Sequence, residues 1–332
     1  MKTSFSRLII LIFSFYVSYP IMAQDNPAEL QTTSSTILNK KDSGLLNDSI
    51  LFKKDTVKKA TATDSTTPTP SHMQLNVVYE SNNVYLGRAD STILPLLTPE
   101  ISYIFKSGFE IDFSVGISLI APSPHLNSWS LDGSYTFNPG NYSGSVTVTI
   151  ANYSVNSGSV NAVQNGSLAY NSTYTFSFIQ PSLNLTYTFA DHPDYQVSFA
   201  LQQEFDFLHN GNLSFTPTAT MNASTQNYYN SYYQNKRYSI SRPGKPPLPA
   251  NVSVSGEVLN SGEFQILDYE FSAPVNFSAG KWSFDFTPTV AIPVNPADIK
   301  LTTKIDNQTF VKTYKEKLPN VFYIQVGVTY AF

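Results

Sequence analysis

Carboxylates are the side chains of this sequence best placed to act together. Glu100, Glu110, Asp112, Asp132, Glu204, Asp206, Asp268, Glu270 and Asp285 each stand at a polar step of a segment that alternates polar and apolar residues, and Lys106 is the base that falls on the same side. If those steps line a water-filled passage, the acids give it a negative field that favours cations and neutral polar solutes. In a narrow bore, Gln, Thr and Tyr side chains would instead bridge them. No run of ligands has the spacing of a metal-binding loop, so neither metal nor cofactor is expected. Hydrolysis would need a histidine held beside a serine or an acid on rigid positions. Of the 4 histidines (His72, His125, His192, His209), only His192 has acids nearby, Asp191 and Asp194, and its DHPD setting reads as a turn. No catalytic residue is expected.

A second group combines aromatics with cations: Tyr228, Tyr229, Tyr232 and Tyr233, followed by Arg237 and Arg242. Tyrosines interleaved with guanidinium groups can stack on sugars or grip a protein partner. The same side chains can also fold inward to cap a barrel, or lie at a lipid headgroup interface. Further along, Lys300, Lys304, Lys312, Lys315 and Lys317 outnumber Asp298, Asp306 and Glu316, a balance that suits contact with surface phosphate groups.

The elements that carry these groups follow from composition and periodicity. The 332 residues are only 13% charged yet 14% aromatic, with 41% hydrophobic residues and a mean hydropathy of -0.16. That excludes a bundle of membrane helices and fits a β-protein with one apolar and one polar face. A net charge of -4 excludes a generally basic nucleic-acid binder. Having 0 cysteines, the chain can build no disulfide, thiolate metal site or cysteine nucleophile. Residues 1–23 read as a secretory signal: Lys2 and Arg7, then LIILIFSFYV, then Pro20 and a small residue, Ala23. Residues 24–72 are polar, with Phe52 their lone aromatic, and read as a disordered tether.

From Met73 to Phe332 the period is two. Phe109, Ile111, Phe113, Val115 and Ile117 fall on one face of their segment, with Glu110, Asp112 and Ser114 on the other. The apolar faces carry no charge, the segments are long enough to cross a bilayer with tilt, and aromatics gather near their ends. In lipid only a closed barrel satisfies every strand's backbone. The reading is therefore an all-β chain forming a closed antiparallel transmembrane β-barrel of about twelve strands. Its strands are expected over 74–86, 95–106, 109–120, 127–137, 142–154, 165–177, 179–189, 195–207, 212–223, 262–277, 281–292 and 320–332. Tight turns at 106–108, 138–140, 209–211 and 279–281 then share one end, and the long connections 224–261 and 293–319 share the other. Pro99, Pro181, Pro217 and Pro288 are expected at bulges or rims, because proline cannot donate to a ladder.

The chain closes with Val326, Val328, Tyr330 and Phe332 at two-residue steps. This ending resembles the C-terminal aromatic signal that outer-membrane β-barrels present to the barrel-assembly machinery. With the signal segment, it makes the chain similar to integral outer-membrane barrels of Gram-negative bacteria. The NNVYLGRAD stretch (82–90) and the Asn/Tyr-rich segments resemble uncharacterised Bacteroidetes outer-membrane barrels. The resemblance implies an outer-membrane location with tether and C-terminus in the periplasm, and outer-membrane lipid, lipopolysaccharide and the assembly machinery as partners. It assigns no functional residue. The function expected is a passive, weakly cation-preferring channel for small polar solutes. The alternative is a non-conducting barrel that displays its Tyr/Arg-rich loops for adhesion, ligand or partner binding, with a rim hydrolase a distant third.

Overall fold

The structure, a computed structural model, describes residues 70–332 except 91, 121–123, 209–211, 236, 238–248 and 250. The expected signal segment and almost all of the expected tether lie outside these residues, as do the 209–211 turn and Arg242.

Strands form wherever the sequence alternates. In chain order they are β1 (His72–Glu80), β2 (Leu96–Ile104), β3 (Phe109–Ser118), β4 (His125–Phe137), β5 (Tyr142–Tyr153), β6 (Gly166–Tyr174), β7 (Gln180–Phe189), β8 (Tyr195–Gln202), β9 (Phe205–Asp206), β10 (Leu213–Phe215) and β11 (Thr218–Ser224). A helix, α1 (Asn227–Asn235), and β12 (Val252–Leu259) follow. Then come β13 (Gln265–Ser272), β14 (Val275–Ala279), β15 (Trp282–Pro293), β16 (Asp298–Ile305), β17 (Gln308–Lys315) and β18 (Val321–Ala331). The pairs β8/β9, β10/β11 and β13/β14 are each one wall strand broken once, so the wall has the twelve strands expected. Every pairing is antiparallel. β1 pairs with β18, with Val77 opposite Val328, and β13 pairs with β15, with Phe271 opposite Val290, so the wall closes on itself, with the short β9 paired to β10 on one side.

Alternation decides what faces where. Ile101, Phe113, Val148 and Phe284 point out and stay exposed, while Ser102, Asp112, Asn184 and Ser198 point in and are buried. A belt of exposed leucine, valine and phenylalanine around a polar interior inverts a soluble barrel, and only lipid can cover it. Aromatic contacts ring the end with the short turns: Tyr103 on Phe105 with centroids 4.7 Å apart, Phe137 near Tyr142 at 6.0 Å, and Trp282 on Tyr330 at 4.7 Å. Such girdles sit at membrane interfaces because the rings are apolar with a polar edge. The turns themselves need positive φ. Gly108 has φ +86, and a Cβ there would lie 2.4 Å from the Thr136 carbonyl oxygen.

The structure departs from the sequence expectation in four places. β1 stops at Glu80 rather than continuing to 86, and residues 81–90 fold into the barrel mouth. The 165–189 region is a hairpin, as expected, but its turn spans 175–179. Three neighbouring wall strands break on one oblique line, at 203–204, 216–217 and 273–274. There Gln203 N–H reaches Pro217 O (3.2 Å), Thr216 N–H reaches Pro274 O (2.9 Å), and Ala273 N–H reaches Pro288 O (3.1 Å). Prolines without N–H cannot continue the ladder, which is why the line runs through them. Last, the long connections carry regular elements: α1 lies in one, and β12, β16 and β17 from two of them form a separate three-stranded sheet. The apolar core sits there rather than in the barrel. Tyr85, Leu86, Val160, Leu267, Val258 and Ile299 surround the helix tyrosines in one buried cluster.

Candidate functional site: an acid-lined lumen and its plug

Eight inward-pointing carboxylates share one continuous arc of wall. β13 contributes Asp268 and Glu270, β15 Asp285, β1 Glu80, β2 Glu100, β3 Glu110 and Asp112, and β4 Asp132; these strands and β18 are consecutive neighbours. Glu80 was not among the acids expected. The opposite wall, β5–β8 and β11, turns only uncharged side chains inward, among them Thr149, Asn171, Asn184, Gln196, Ser198 and Asn222. Hydrogen bonds run from strand to adjacent strand along the wall. Ser114 and Ser130 lie 2.8 Å apart, Asn276 donates to Asp285 (2.6 Å), Gln325 to Glu80 (3.0 Å), and Ser198 to Asn222 (2.6 Å). Asp112 lies directly opposite Asp132, which accepts from Ser130 (3.1 Å) and Thr149. One of the expected acids differs: Glu204 is exposed in the break after β8, whereas Asp206, exposed at the short-turn end, stands in the row of Ser214, Asn276 and Asp285 and shares their face. Lys106 is likewise an exposed turn residue rather than a lumen base.

The buried base is Arg88, which the alternation could not place. Tyr85 and Arg88 exchange both backbone bonds (3.0 and 2.9 Å) around Leu86 (φ 52) and Gly87 (φ 67), a two-residue turn of the I′ geometry. This turn points into the mouth. A Cβ on Gly87 would lie 2.8 Å from the Asp268 Cβ, so only glycine lets the turn reach the wall. Arg88, 0% exposed, donates to Asn295 O (3.0 Å), Leu267 O and Val294 O (both 3.4 Å) and Gln226 Oε1 (3.3 Å). Its Nε faces Glu316 Oε2 at 3.8 Å. A buried guanidinium costs several kcal/mol unless paired, and here its fork is engaged on several sides.

Helix α1 completes the plug. Its tyrosines recur at i, i+1, i+4 and i+5, so Tyr228, Tyr229, Tyr232 and Tyr233 share a face, and all four are at most 1% exposed. Tyr229 donates to Glu316, Tyr232 to Asp90 (2.6 Å), and Tyr85 to Gln196 on the wall (3.4 Å). Burial, above all, pushes the Tyr228 and Tyr229 phenols well above their ordinary value, so both are neutral. The tyrosines thus fill the mouth and are not displayed to solution, while Arg237 lies over the Tyr233 ring at 4.9 Å. The helix start is held from another loop: Asp194 accepts from Asn227 N–H and Tyr228 N–H (both 2.8 Å) and from Thr225 Oγ1 (2.6 Å). That carboxylate is therefore occupied by the helix rather than by the exposed His192. Among the described residues, no three His, Asp or Glu side chains gather in a metal-binding arrangement.

Val326, Val328, Tyr330 and Phe332 lie on the outward side of the closing strand, with Tyr330 tilted against Trp282 (4.7 Å) and edge-to-face with Phe332 (5.0 Å).

No protein-family model matches the chain, and no curated protein matches it. Solved structures similar to it include KdgM porin (TM-score 0.39, 10% identity, covering 78% of this chain and 99% of that one) and NanC porin (0.40, 6%, 78% and 98%). LpxR from Salmonella typhimurium matches to the same degree (0.38, 9%, 78% and 100%). At such scores these likenesses say nothing of what this chain carries, and its own residues must decide.

Proposed function

We propose that this chain is an outer-membrane β-barrel channel for small polar solutes, preferring cations, held shut at its long-loop end in the state described. The carrying observation is the inner wall, an arc of carboxylates facing a wall of amides and hydroxyls inside an uncharged shell. Hydrogen bonds between neighbouring strands hold these side chains against the wall. The plug favours a second reading, a barrel that never conducts and presents its outer sheet to a partner. On either reading the tether and C-terminus lie in the periplasm, lipid and lipopolysaccharide surround the belt, and the closing aromatic strand is the assembly machinery's handle.

Single-channel recording of the full chain in a planar bilayer under a salt gradient separates the two. The channel reading expects rare openings whose reversal potential reports cation preference. That preference should shrink toward zero in Glu100→Gln/Asp112→Asn/Asp132→Asn. Absence of current from a folded, heat-modifiable barrel, even with Gln226–Asn235 replaced by a Gly/Ser linker, would establish the second reading.

A further inference from the structure

The outer sheet and the plug are built as one piece. Val258 of β12, Ile299 of β16 and Tyr314 of β17 belong to the same apolar cluster as the helix tyrosines. Val258 N–H donates to Asn230 of α1 (2.9 Å), Gln226 N–H to Ser261 O (2.6 Å), and Ser261 Oγ to Asn227 (3.1 Å). Glu316, just beyond β17, accepts from Tyr229, faces Arg88, and donates its own N–H to Ala297 O (2.8 Å). This piece is mounted on one side of the barrel. Its segments run directly into β11, β13, β15 and β18, which are consecutive wall strands.

Two of the joints between sheet and wall carry non-glycine residues with left-handed backbone: Asn260 (φ 60) between β12 and β13, and Asn295 (φ 51) between β15 and β16. Such positions concentrate where a chain changes direction and where segments pivot. Arg88 makes its shortest bond to the carbonyl of Asn295 itself and another to the residue before it. Its charge thus clamps a joint while its turn, Tyr85–Arg88, rests on the far side of the mouth through Tyr85 and Gln196.

We infer that the outer sheet is the lever of this barrel, that Arg88 is the latch that keeps it down, and that Glu316 couples the two. Displacing the sheet draws Glu316 from Arg88, frees the Asn295 joint, and lifts α1 and its tyrosines off the loop that carries Val160. This inference rests on the channel reading, since a lever matters only if the lumen passes something.

The absence of cysteine makes the test clean. Val160→Cys puts a thiol in the plug core, where the native side chain is 2% exposed. In the otherwise native full chain, a membrane-impermeant maleimide should label it slowly. Arg88→Gln breaks a buried charge pair outright, and labelling should quicken about a hundredfold, with openings lengthened in parallel. Glu316→Gln, which lies outside both barrel wall and helix, should do the same to a lesser degree. Heat-modifiable migration confirms that each barrel has folded. Faster labelling in Arg88→Gln with native labelling in Glu316→Gln would overturn the coupling to the sheet. Native labelling in both would overturn the latch, whatever the currents show. Faster labelling with no current in any protein would instead leave the moving plug standing and defeat the channel reading.

Discussion

Tyr228 and Tyr232 lie one helical turn apart, both buried, and should respond in opposite ways to losing a hydroxyl. Among the described residues the Tyr228 hydroxyl has no hydrogen-bond partner, whereas that of Tyr232 donates to Asp90 at 2.6 Å. Removing an unpartnered buried polar group is neutral or stabilising, while stripping a donor from a buried carboxylate costs about 1.5–3 kcal/mol. Tyr228→Phe should therefore melt at or above the native temperature and Tyr232→Phe below it, followed by near-UV circular dichroism of the tyrosine cluster. At this scale the sequence was informative where alternation governs. Glu100, Asp112, Asp132 and Asp285 point inward because their neighbours must face lipid. Arg88 could not be read in the same way. The groups that accept its hydrogen bonds lie 138 to 207 residues away, and no local pattern announces such a meeting.

The helix shows what an element needs beyond its own sequence. NYYNSYYQN has no acid in its first turn, and Asp194 supplies the missing acceptors from a different loop. Burial, the largest influence, raises the Asp194 pKa above the ordinary 3.8, while its bonds to Thr225 and the helix N–H groups pull the other way. A carboxyl with a raised pKa holds its proton more tightly in the folded state, so its contribution to stability is greatest in acid and falls as pH rises from the unfolded value through the folded one. The plug's melting temperature should decline over that interval in the native chain and stay flat in Asp194→Asn. Asp194→Ala should lose about 1–2 kcal/mol, the usual cost of an absent cap, and should lose most in acid. The tyrosine spacing i, i+1, i+4, i+5 carried the helix in plain view, and the alternation of VSVSGEVL carried β12. A chain dominated by period two makes a single helix easy to pass over. The wall strands were legible because lipid on one side and polar groups on the other leave each residue one orientation. The break at Pro217 follows from a missing N–H that the sequence shows, whereas the one at Pro274 interrupts a strand read as unbroken over 262–277.

At the scale of the molecule, shell and lumen obey different solvents. Val148 faces outward from the middle of β5, with Thr147 beside it facing in. Val148→Arg puts a guanidinium into hydrocarbon and should lower stability by about 2–4 kcal/mol, whereas Thr147→Arg should cost far less. Urea unfolding in lipid vesicles measures both, and equal losses would contradict a lipid-facing belt. The location of the plug was beyond the sequence because its pieces come from loops that meet only after the barrel closes. The division of the inner wall has a different consequence. With every buried wall acid on the arc from β13 through β4 and none on β5–β8 or β11, the electrical axis of the lumen does not coincide with its geometric axis. A cation travelling through would keep to one side and leave the other to water and uncharged hydroxyls. On the channel reading the bore would then behave as two parallel lanes, one attractive to cations and the other electrically indifferent.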